Sequence, residues 1–94
     1  MLEIANILVQ DIYLPERMEW EEACKYCKEL DLRLPTRNEL IKIQNNSDKF
    51  KFINDAWFWS SEEFDRKNAW FMSFATGKIY SRLKDRKYYI KCVK

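Results

Sequence analysis

Three cysteines are the residues whose types and spacing most directly suggest chemistry. Cys24 and Cys27 form a Cys-x-x-Cys pair, and Cys92 lies near the end of the 94-residue chain. Redox pairs of this spacing depend on a helix N-terminus to lower a thiol pKa, but this pair falls in the second turn of a predicted helix. Without a histidine, three cysteines cannot complete a four-ligand structural zinc site. We therefore expect core thiols, or a cysteine that is one half of a structural disulfide.

Other catalytic groups are scarce. The absence of histidine removes the commonest general base and the Ser–His and Cys–His nucleophile pairs. The single glycine, Gly77, leaves no Gly-rich loop for a phosphate or a dinucleotide. Glu62, Glu63 and Asp65 carry oxygen atoms that Ca²⁺ could use, but a solvated loop is the interpretation we prefer. We expect no enzyme, no cofactor and no metal.

Basic residues are concentrated in the last third of the chain. The formal net charge is only +2, yet residues 66–94 hold nine lysines and arginines against Asp85 alone. This stretch could bind a polyanion such as a sulfated glycan, a nucleic acid or an anionic lipid. It could equally be the solvated side of strands that fold beside the acidic remainder. The polyanion hypothesis depends on six side chains: Lys78, Arg82, Lys84, Arg86, Lys87 and Lys91.

Two helices are predicted in the first half of the chain. Apolar residues recur at three- to four-residue spacing over residues 20–30, with glutamates and lysines on the opposite face. Thr36 and Glu39 form a capping box, in which each side chain accepts a hydrogen bond from the other residue's main-chain N–H. A second helix is therefore expected to begin at this point.

Strands are predicted on both sides of the helices, where β-branched and aromatic residues cluster. Residues 4–14 predict one or two short strands that end at Pro15. Gly77 is expected in a left-handed conformation within a hairpin, and Phe50, Phe52 and Ile53 are expected to pack from a loop. Further strands are predicted over residues 56–60, 69–74, 78–83 and 88–93. The pattern is that of one α+β domain over residues 1–94 with an antiparallel sheet.

The composition excludes two classes of protein. Because 47% of the residues are hydrophobic, the chain has ample surface to bury and is not intrinsically disordered. Its apolar stretches are only a few residues long, far short of the roughly 20 needed to cross a bilayer. Residues 4–9 are too short for a signal peptide and follow no basic residue. We therefore expect no membrane span and a cytoplasmic protein as encoded.

Six motifs occur in order along residues 20–94: Trp-Glu-Glu-Ala, Tyr-Cys, Arg-Leu-Pro-Thr-Arg-Asn-Glu-Leu, Trp-Ser-Ser, Ala-Trp-Phe and Tyr-Ile-Lys-Cys-Val-Lys. Together they resemble the C-terminal domain of the Legionella collagen-like adhesin, a bacterial and phage family distantly related to the formylglycine-generating-enzyme superfamily. The resemblance implies a C-type-lectin-like fold, in which two helices flank small antiparallel sheets and the N- and C-terminal strands pair. It also implies that Cys27 and Cys92 form a disulfide, or packed thiols in a reducing compartment, with Cys24 unpaired.

This resemblance favours a non-enzymatic, calcium-independent binding module. The EPN or QPD loop and the WND strand of sugar-binding C-type lectins are both absent. We expect another protein as the partner, with a polyanion binder or a small oligomeric assembly component as alternatives. Trp57, Trp59 and Trp70 are expected in the core because they lie at strand centres. The candidate ligand-binding residues are Phe64, Asp65, Arg66, Lys67, Tyr80, Arg82, Lys84 and Arg86.

Overall fold

Side-chain caps fix the start of both helices in the computed structural model, which describes residues 2–10, 16–46 and 56–94. Helix α1 spans Trp20–Glu29, and the main-chain N–H of Glu19 donates to a Glu22 carboxylate oxygen over 3.1 Å. Helix α2 spans Arg37–Gln44. The Glu39 N–H donates to Thr36 Oγ1 over 3.2 Å and the Thr36 N–H to Glu39 Oε1 over 2.9 Å. The predicted capping box is thus confirmed.

The strands form two small antiparallel sheets. Strands β1 (Leu2–Ile4) and β2 (Ile7–Val9) make a hairpin whose turn residues, Ala5 and Asn6, have positive φ angles. Strands β3 (Trp57–Glu63), β4 (Asn68–Ser73) and β5 (Ile79–Leu83) follow one another in a second sheet. Gly77, between β4 and β5, has φ +76°, the left-handed conformation that was predicted. The α+β class is therefore confirmed, with two helices and two sheets.

Three sequence predictions differ from the structure or lie wholly or partly outside it. Residues 4–14 were predicted to hold one or two strands; two occur, at Leu2–Ile4 and Ile7–Val9, and residues 11–15 lie outside the described residues. Phe50, Phe52 and Ile53 also lie outside them. The predicted last strand over residues 88–93 is wrong. This segment forms only isolated bridges, because it changes pairing partner every few residues: Met18↔Tyr88, Phe58↔Tyr89, Arg33↔Val93 and Val9↔Val93.

The buried apolar side chains form two clusters on opposite faces of the β3–β5 sheet, since neighbouring residues of a strand point to opposite sides. The first cluster lies between this sheet, α2 and the β1–β2 hairpin: Ile4, Ile7, Val9, Leu40, Ile43, Phe58, Met72, Phe74 and Val93. The second lies between the sheet, α1 and the C-terminal segment: Trp20, Ala23, Cys27, Leu34, Trp59, Ala69, Phe71, Ile90 and Cys92.

A disulfide joins α1 to the C-terminal segment. Cys27 and Cys92 are bonded across 65 residues, with their Cα atoms 5.5 Å apart, and both are fully buried. The same segment also meets the N-terminal part of the chain, because the Gln10 N–H donates to the Cys92 carbonyl and the Lys94 N–H to the Leu8 carbonyl. The bridge and these bonds hold both ends of the chain at one side of the domain.

Within the described residues, neither helix is long and apolar enough to cross a membrane.

Replacing both bridged cysteines in a Cys27→Ala/Cys92→Ala variant is expected to lower stability by about 4 kcal/mol, because a closed loop of this length restricts the unfolded chain. For a domain of this size the melting temperature should fall on the order of 20 °C. Differential scanning calorimetry measures the change. Cys24→Ala is the control and should lower the melting temperature by only a few degrees. Equal losses in both variants would show that the bridge adds no more than ordinary packing.

Acid should destabilise the start of α2. Hydrogen bonding to the Arg33 guanidinium, and then to the Thr36 N–H, lowers the pKa of Glu39 below its ordinary value of 4.5. A carboxyl whose pKa is depressed by folding stabilises the protein above its unfolded pKa and loses that contribution as pH falls through its folded pKa. Urea unfolding between pH 3 and 7 should show stability declining below about pH 4.5. Glu39→Gln should flatten this decline, whereas Glu29→Gln should leave it unchanged.

Candidate functional site

The eight candidate ligand-binding residues do not form one surface. Residues 64–67 make the loop between β3 and β4. Tyr80 and Arg82 lie on β5, and Lys84 and Arg86 lie in the turn that follows it. Arg66, Lys67 and Lys84 line a shallow depression of about 270 Å³ together with Leu83 and Asp85.

Lys84 is committed to internal contacts. Its Nζ donates to Glu63 Oε2 over 2.7 Å and to the Arg66 carbonyl over 3.0 Å, and it lies 4.7 Å from the centroid of the Trp20 ring. Only 13% of the side chain is exposed. Lys84 therefore ties the β3–β4 loop to the first residue of α1, and it is not free to bind a ligand in this arrangement.

Asp65 shapes its own loop. Its Oδ1 accepts hydrogen bonds from the Lys67 N–H, the Asn68 N–H and the Asn68 side-chain amide over 2.8–2.9 Å. The Asn68 side chain, followed by the Lys67 N–H, lowers the pKa of this carboxyl. The hydrogen bonds that Asp65 accepts thus stabilise its own turn. Because the carboxylate is already used there, it is a weak candidate for ligand binding.

The acidic residues considered as calcium ligands each have a separate partner. Glu62 accepts hydrogen bonds from the Arg37 N–H over 2.7 Å and from the Arg37 guanidinium over 3.1 Å, which lower its pKa. Glu63 pairs with Lys84, and Asp65 binds its own loop. In residues 2–10, 16–46 and 56–94 no cluster of three or more histidine, cysteine or acidic side chains could hold a metal ion.

Phe64 lies on the far side of the sheet from Tyr80. Its ring is 55% exposed and meets the Trp70 ring edge-on, with 5.1 Å between centroids. Arg37 covers the same tryptophan, with its guanidinium carbon 4.7 Å from the ring centroid. Trp70 is therefore half-buried between two side chains rather than within the core.

Trp57 and Trp70 were both wrongly expected in the core, and Trp57 is the more exposed of the two. Trp59 is fully buried, and its Nε1 donates to the Met18 carbonyl over 2.9 Å, as expected for a core residue. Trp57 points to the same face two residues earlier, but it is 44% exposed. The cover from α1 ends before it, because α1 packs over Trp59 and Ala69. The alternation of side chains along a strand shows which face of the sheet a residue occupies. It does not show how far the neighbouring helix covers that face.

Trp57 belongs to a continuous group of aromatic rings. Phe71, only 1% exposed, lies beneath them, with ring centroids 5.3 Å from Trp57, 5.7 Å from Tyr80 and 4.5 Å from Tyr88. Trp57 and Tyr88 are 5.5 Å apart. Tyr80 is 38% exposed. These contacts fix the rings of Trp57, Tyr80 and Tyr88 before any ligand arrives.

Three arginines border these rings. The Arg82 guanidinium lies 5.8 Å from the centroid of Tyr80. Burial raises the pKa of Tyr88, and the positive charges of Arg82 and Arg86 act in the opposite direction, so both lie within electrostatic reach of its hydroxyl. Arg17 lines a groove of about 200 Å³ with Ala56, Trp57, Tyr88 and Tyr89. We name this set the aromatic–arginine surface: Trp57, Tyr80, Tyr88, Arg17, Arg82 and Arg86.

The arginines of this surface have no carboxylate partner among the residues that the structure describes. Ion pairs between described residues lie elsewhere in the fold: Arg33–Glu39, Arg37–Glu62 and Lys84–Glu63. The surface therefore combines exposed aromatic area with positive charge that no carboxylate of residues 2–10, 16–46 or 56–94 neutralises. Sequence analysis selected Tyr80, Arg82 and Arg86 but missed Arg17, Trp57 and Tyr88, because it had no means of bringing residues 17, 57 and 88 together.

The six basic residues of the polyanion hypothesis are only partly available. Lys91 is buried and donates to the Gln10 carbonyl over 3.0 Å, and Lys84 is held as described. The remaining four side chains are exposed: Lys78, Arg82, Arg86 and Lys87. A sequence count thus overestimates the charge that a ligand could meet.

Cys24 shows no sign of a reactive thiol. Burial, and next the negative charge of Glu21, raise its pKa from 9.0 to about 11. The thiol is therefore almost entirely protonated at neutral pH, and the thiolate is the nucleophilic form. The Cys-x-x-Cys spacing is structural, because Cys27 is bonded to Cys92 instead.

The fold and this surface define a small α+β domain, bridged by a disulfide, with aromatic and arginine side chains exposed together on one sheet face. The family model for the domain of unknown function DUF8780 matches residues 11–94, and the chain belongs to this family. No curated protein matches the chain.

The two tryptophans of β3 should differ sharply on truncation. Trp59→Ala removes a fully buried ring together with its hydrogen bond to the Met18 carbonyl, which keeps only the Tyr88 N–H as a donor. It should therefore cost about 3–5 kcal/mol. Trp57→Ala removes a ring that is nearly half exposed and should cost about 1 kcal/mol. Urea unfolding of both variants measures the difference. If the two losses are equal, Trp57 serves the core and not a binding surface.

Proposed function

We propose that this protein is a non-enzymatic binding module that recognises a partner protein through the aromatic–arginine surface. The observation that carries the proposal is the exposure of Trp57 and Tyr80 beside three arginines that pair with no carboxylate of the described residues. Tryptophan, tyrosine and arginine are the residues that most often dominate the binding energy of protein interfaces. Their combination on one face favours a protein ligand.

Preorganisation supports this assignment. Binding loses free energy when flexible side chains must be ordered, by about 0.5–1.5 kcal/mol for each. Here Phe71 supports the rings of Trp57, Tyr80 and Tyr88, and Tyr88 is further held by main-chain bonds to Met18 in both directions, of 2.8 and 3.0 Å. The rings therefore bind with little further loss of freedom.

We further propose that the scaffold is C-type-lectin-like and calcium-independent. Two helices beside small antiparallel sheets, chain ends that meet, and the Cys27–Cys92 bridge all support this scaffold. The separate engagement of Glu62, Glu63 and Asp65 supports binding without calcium. The raised pKa of Cys24 and the absence of histidine argue against nucleophilic catalysis.

A polyanion is the second candidate ligand. Lys78, Arg82, Arg86 and Lys87 are exposed close together in sequence, on β5 and the turns at its two ends. The candidate is weaker than a protein partner because Lys84 and Lys91 are occupied. It also leaves the exposed ring of Trp57 without a role. Self-association as an assembly component is a third candidate, which light scattering on the purified protein would detect.

The experiment is affinity capture from extract of the source cells with disulfide-intact protein, followed by affinity measurement on the purified partner. A Trp57→Ala/Tyr80→Ala variant should bind that partner at least about 30-fold more weakly, the loss expected for hot-spot residues. Phe64→Ala is the matched control, since it removes an exposed aromatic ring from the opposite face, and it should bind within about 2-fold of wild type.

Salt separates the two ligand classes. A protein partner held by aromatic contacts should bind only a few-fold more weakly at 200 mM than at 50 mM salt. A polyanion that engages the four exposed basic residues should lose on the order of 10²-fold. Capture that does not distinguish the double variant from wild type would overturn the proposal.

A further inference from the structure

We propose that the segment recognised by this surface is an acidic, extended peptide that adds to the β3–β5 sheet as a strand beside β5. This inference rests on the proposed function and names the chemistry and binding mode of the partner. Three observations carry it: an open sheet edge, the direction of the side chains on that edge, and nearby arginines that pair with no described carboxylate.

Among the residues that the structure describes, β5 is the last strand of its sheet and pairs only with β4, which leaves its other edge open. The Ser73 N–H donates to the Lys78 carbonyl and the Lys84 N–H to the Lys67 carbonyl, at the two ends of the β4–β5 ladder. Since hydrogen-bonded pairs alternate along an antiparallel ladder, Tyr80 and Arg82 also bond to β4. The main-chain groups of the intervening residues, Ile79, Ser81 and Leu83, therefore point to the open side.

Two carbonyl groups at this edge already accept hydrogen bonds from within the protein. Arg82 Nη1 donates to the Ser81 carbonyl over 2.9 Å, and the Arg86 N–H donates to the Leu83 carbonyl over 3.1 Å. The amide N–H groups of Ile79, Ser81 and Leu83 and the Ile79 carbonyl remain for a partner strand. Charged side chains at an edge discourage indiscriminate strand pairing. A carboxylate in the incoming strand would draw the Arg82 guanidinium away and uncover the Ser81 carbonyl, so an acidic strand is favoured over a neutral one.

The side chains of β5 determine what an added strand would meet. Tyr80 lies opposite Phe71 and Arg82 opposite Ala69, so both point to the face that carries the aromatic–arginine surface. Alternate side chains of an added strand would lie beside them, at the spacing of cross-strand neighbours. The other side chains would lie beside Leu83, which is 40% exposed. The expected ligand therefore alternates acidic and apolar residues.

Two other occupants fit less well. An antiparallel second copy of β5 centred on Tyr80 would place Lys78 of one copy beside Arg82 of the other, and like charges across a strand pair are destabilising. Single-stranded nucleic acid could stack on Trp57 and Tyr80, but it would leave the main-chain groups of Ile79 and Ser81 unused. Both occupants are outcomes of the test below.

The test uses heptapeptides selected from a random display library on wild-type protein, then synthesised. We expect acidic residues at every second position. The informative variant is Ser81→Pro, which removes an edge N–H that points away from β4 and so spares the β4–β5 ladder. It should weaken peptide binding at least 20-fold, whereas the matched control Ser81→Ala, which keeps the N–H, should bind within about 2-fold of wild type. Circular dichroism checks that the proline variant folds.

A second measurement uses wild-type protein alone. Methylating the peptide's main-chain nitrogens one at a time should reduce binding at alternate positions only, because an added strand turns every second N–H toward β5. Unchanged binding to Ser81→Pro and to every methylated peptide would overturn strand addition. So would a failure to select peptides, or a dodecathymidylate probe that binds more tightly than any selected peptide. A partner that still requires Trp57 and Tyr80 would then leave the proposed function standing.

Discussion

The attachment of the C-terminal segment to the rest of the chain is the constraint on which the other features depend. The Cys27–Cys92 bridge fixes this segment against α1, and main-chain bonds to Gln10, Arg33 and β3 hold it along its length. Because the segment takes a different partner every few residues, it joins β2, the residues on both sides of α1, and β3. A small domain buries a limited share of its surface, so a covalent tie between distant residues replaces part of what a larger core would supply.

The same segment builds the aromatic–arginine surface. The main-chain bridge between Met18 and Tyr88 places the Tyr88 ring on Phe71, next to Trp57, and brings Arg17 alongside. The surface exists because α1 covers only part of the sheet face. Trp59 lies where α1 covers the sheet and is buried, whereas Trp57 lies beyond the end of this cover and is exposed. One strand thus supplies both a buried and an exposed tryptophan.

The basic side chains discussed above fall into two groups, those paired with glutamates inside the fold and those of the aromatic–arginine surface. Arg33, Arg37 and Lys84 are paired with glutamates and stabilise turns and helix starts. The arginines of the aromatic–arginine surface are not paired within the described residues. The value of a basic residue as a ligand contact therefore depends on where the carboxylates lie. Lys84 illustrates the point, because its position in a basic stretch suggested binding, while Glu63, the Arg66 carbonyl and the Trp20 ring hold it in place.

Local chemistry determined much of this structure from the sequence. The apolar spacing predicted α1, the Thr36–Glu39 capping box predicted the start of α2, and the lone glycine predicted the turn before β5, since each depends on residues close in the chain. The Cys27–Cys92 pairing that the resemblance implied is confirmed, although the spacing of the cysteines alone left it open. Where the cover over β3 ends and which cations are already paired depend on contacts between residues that are distant in the chain. Those contacts follow from how the whole chain packs, and only the tertiary structure decided them.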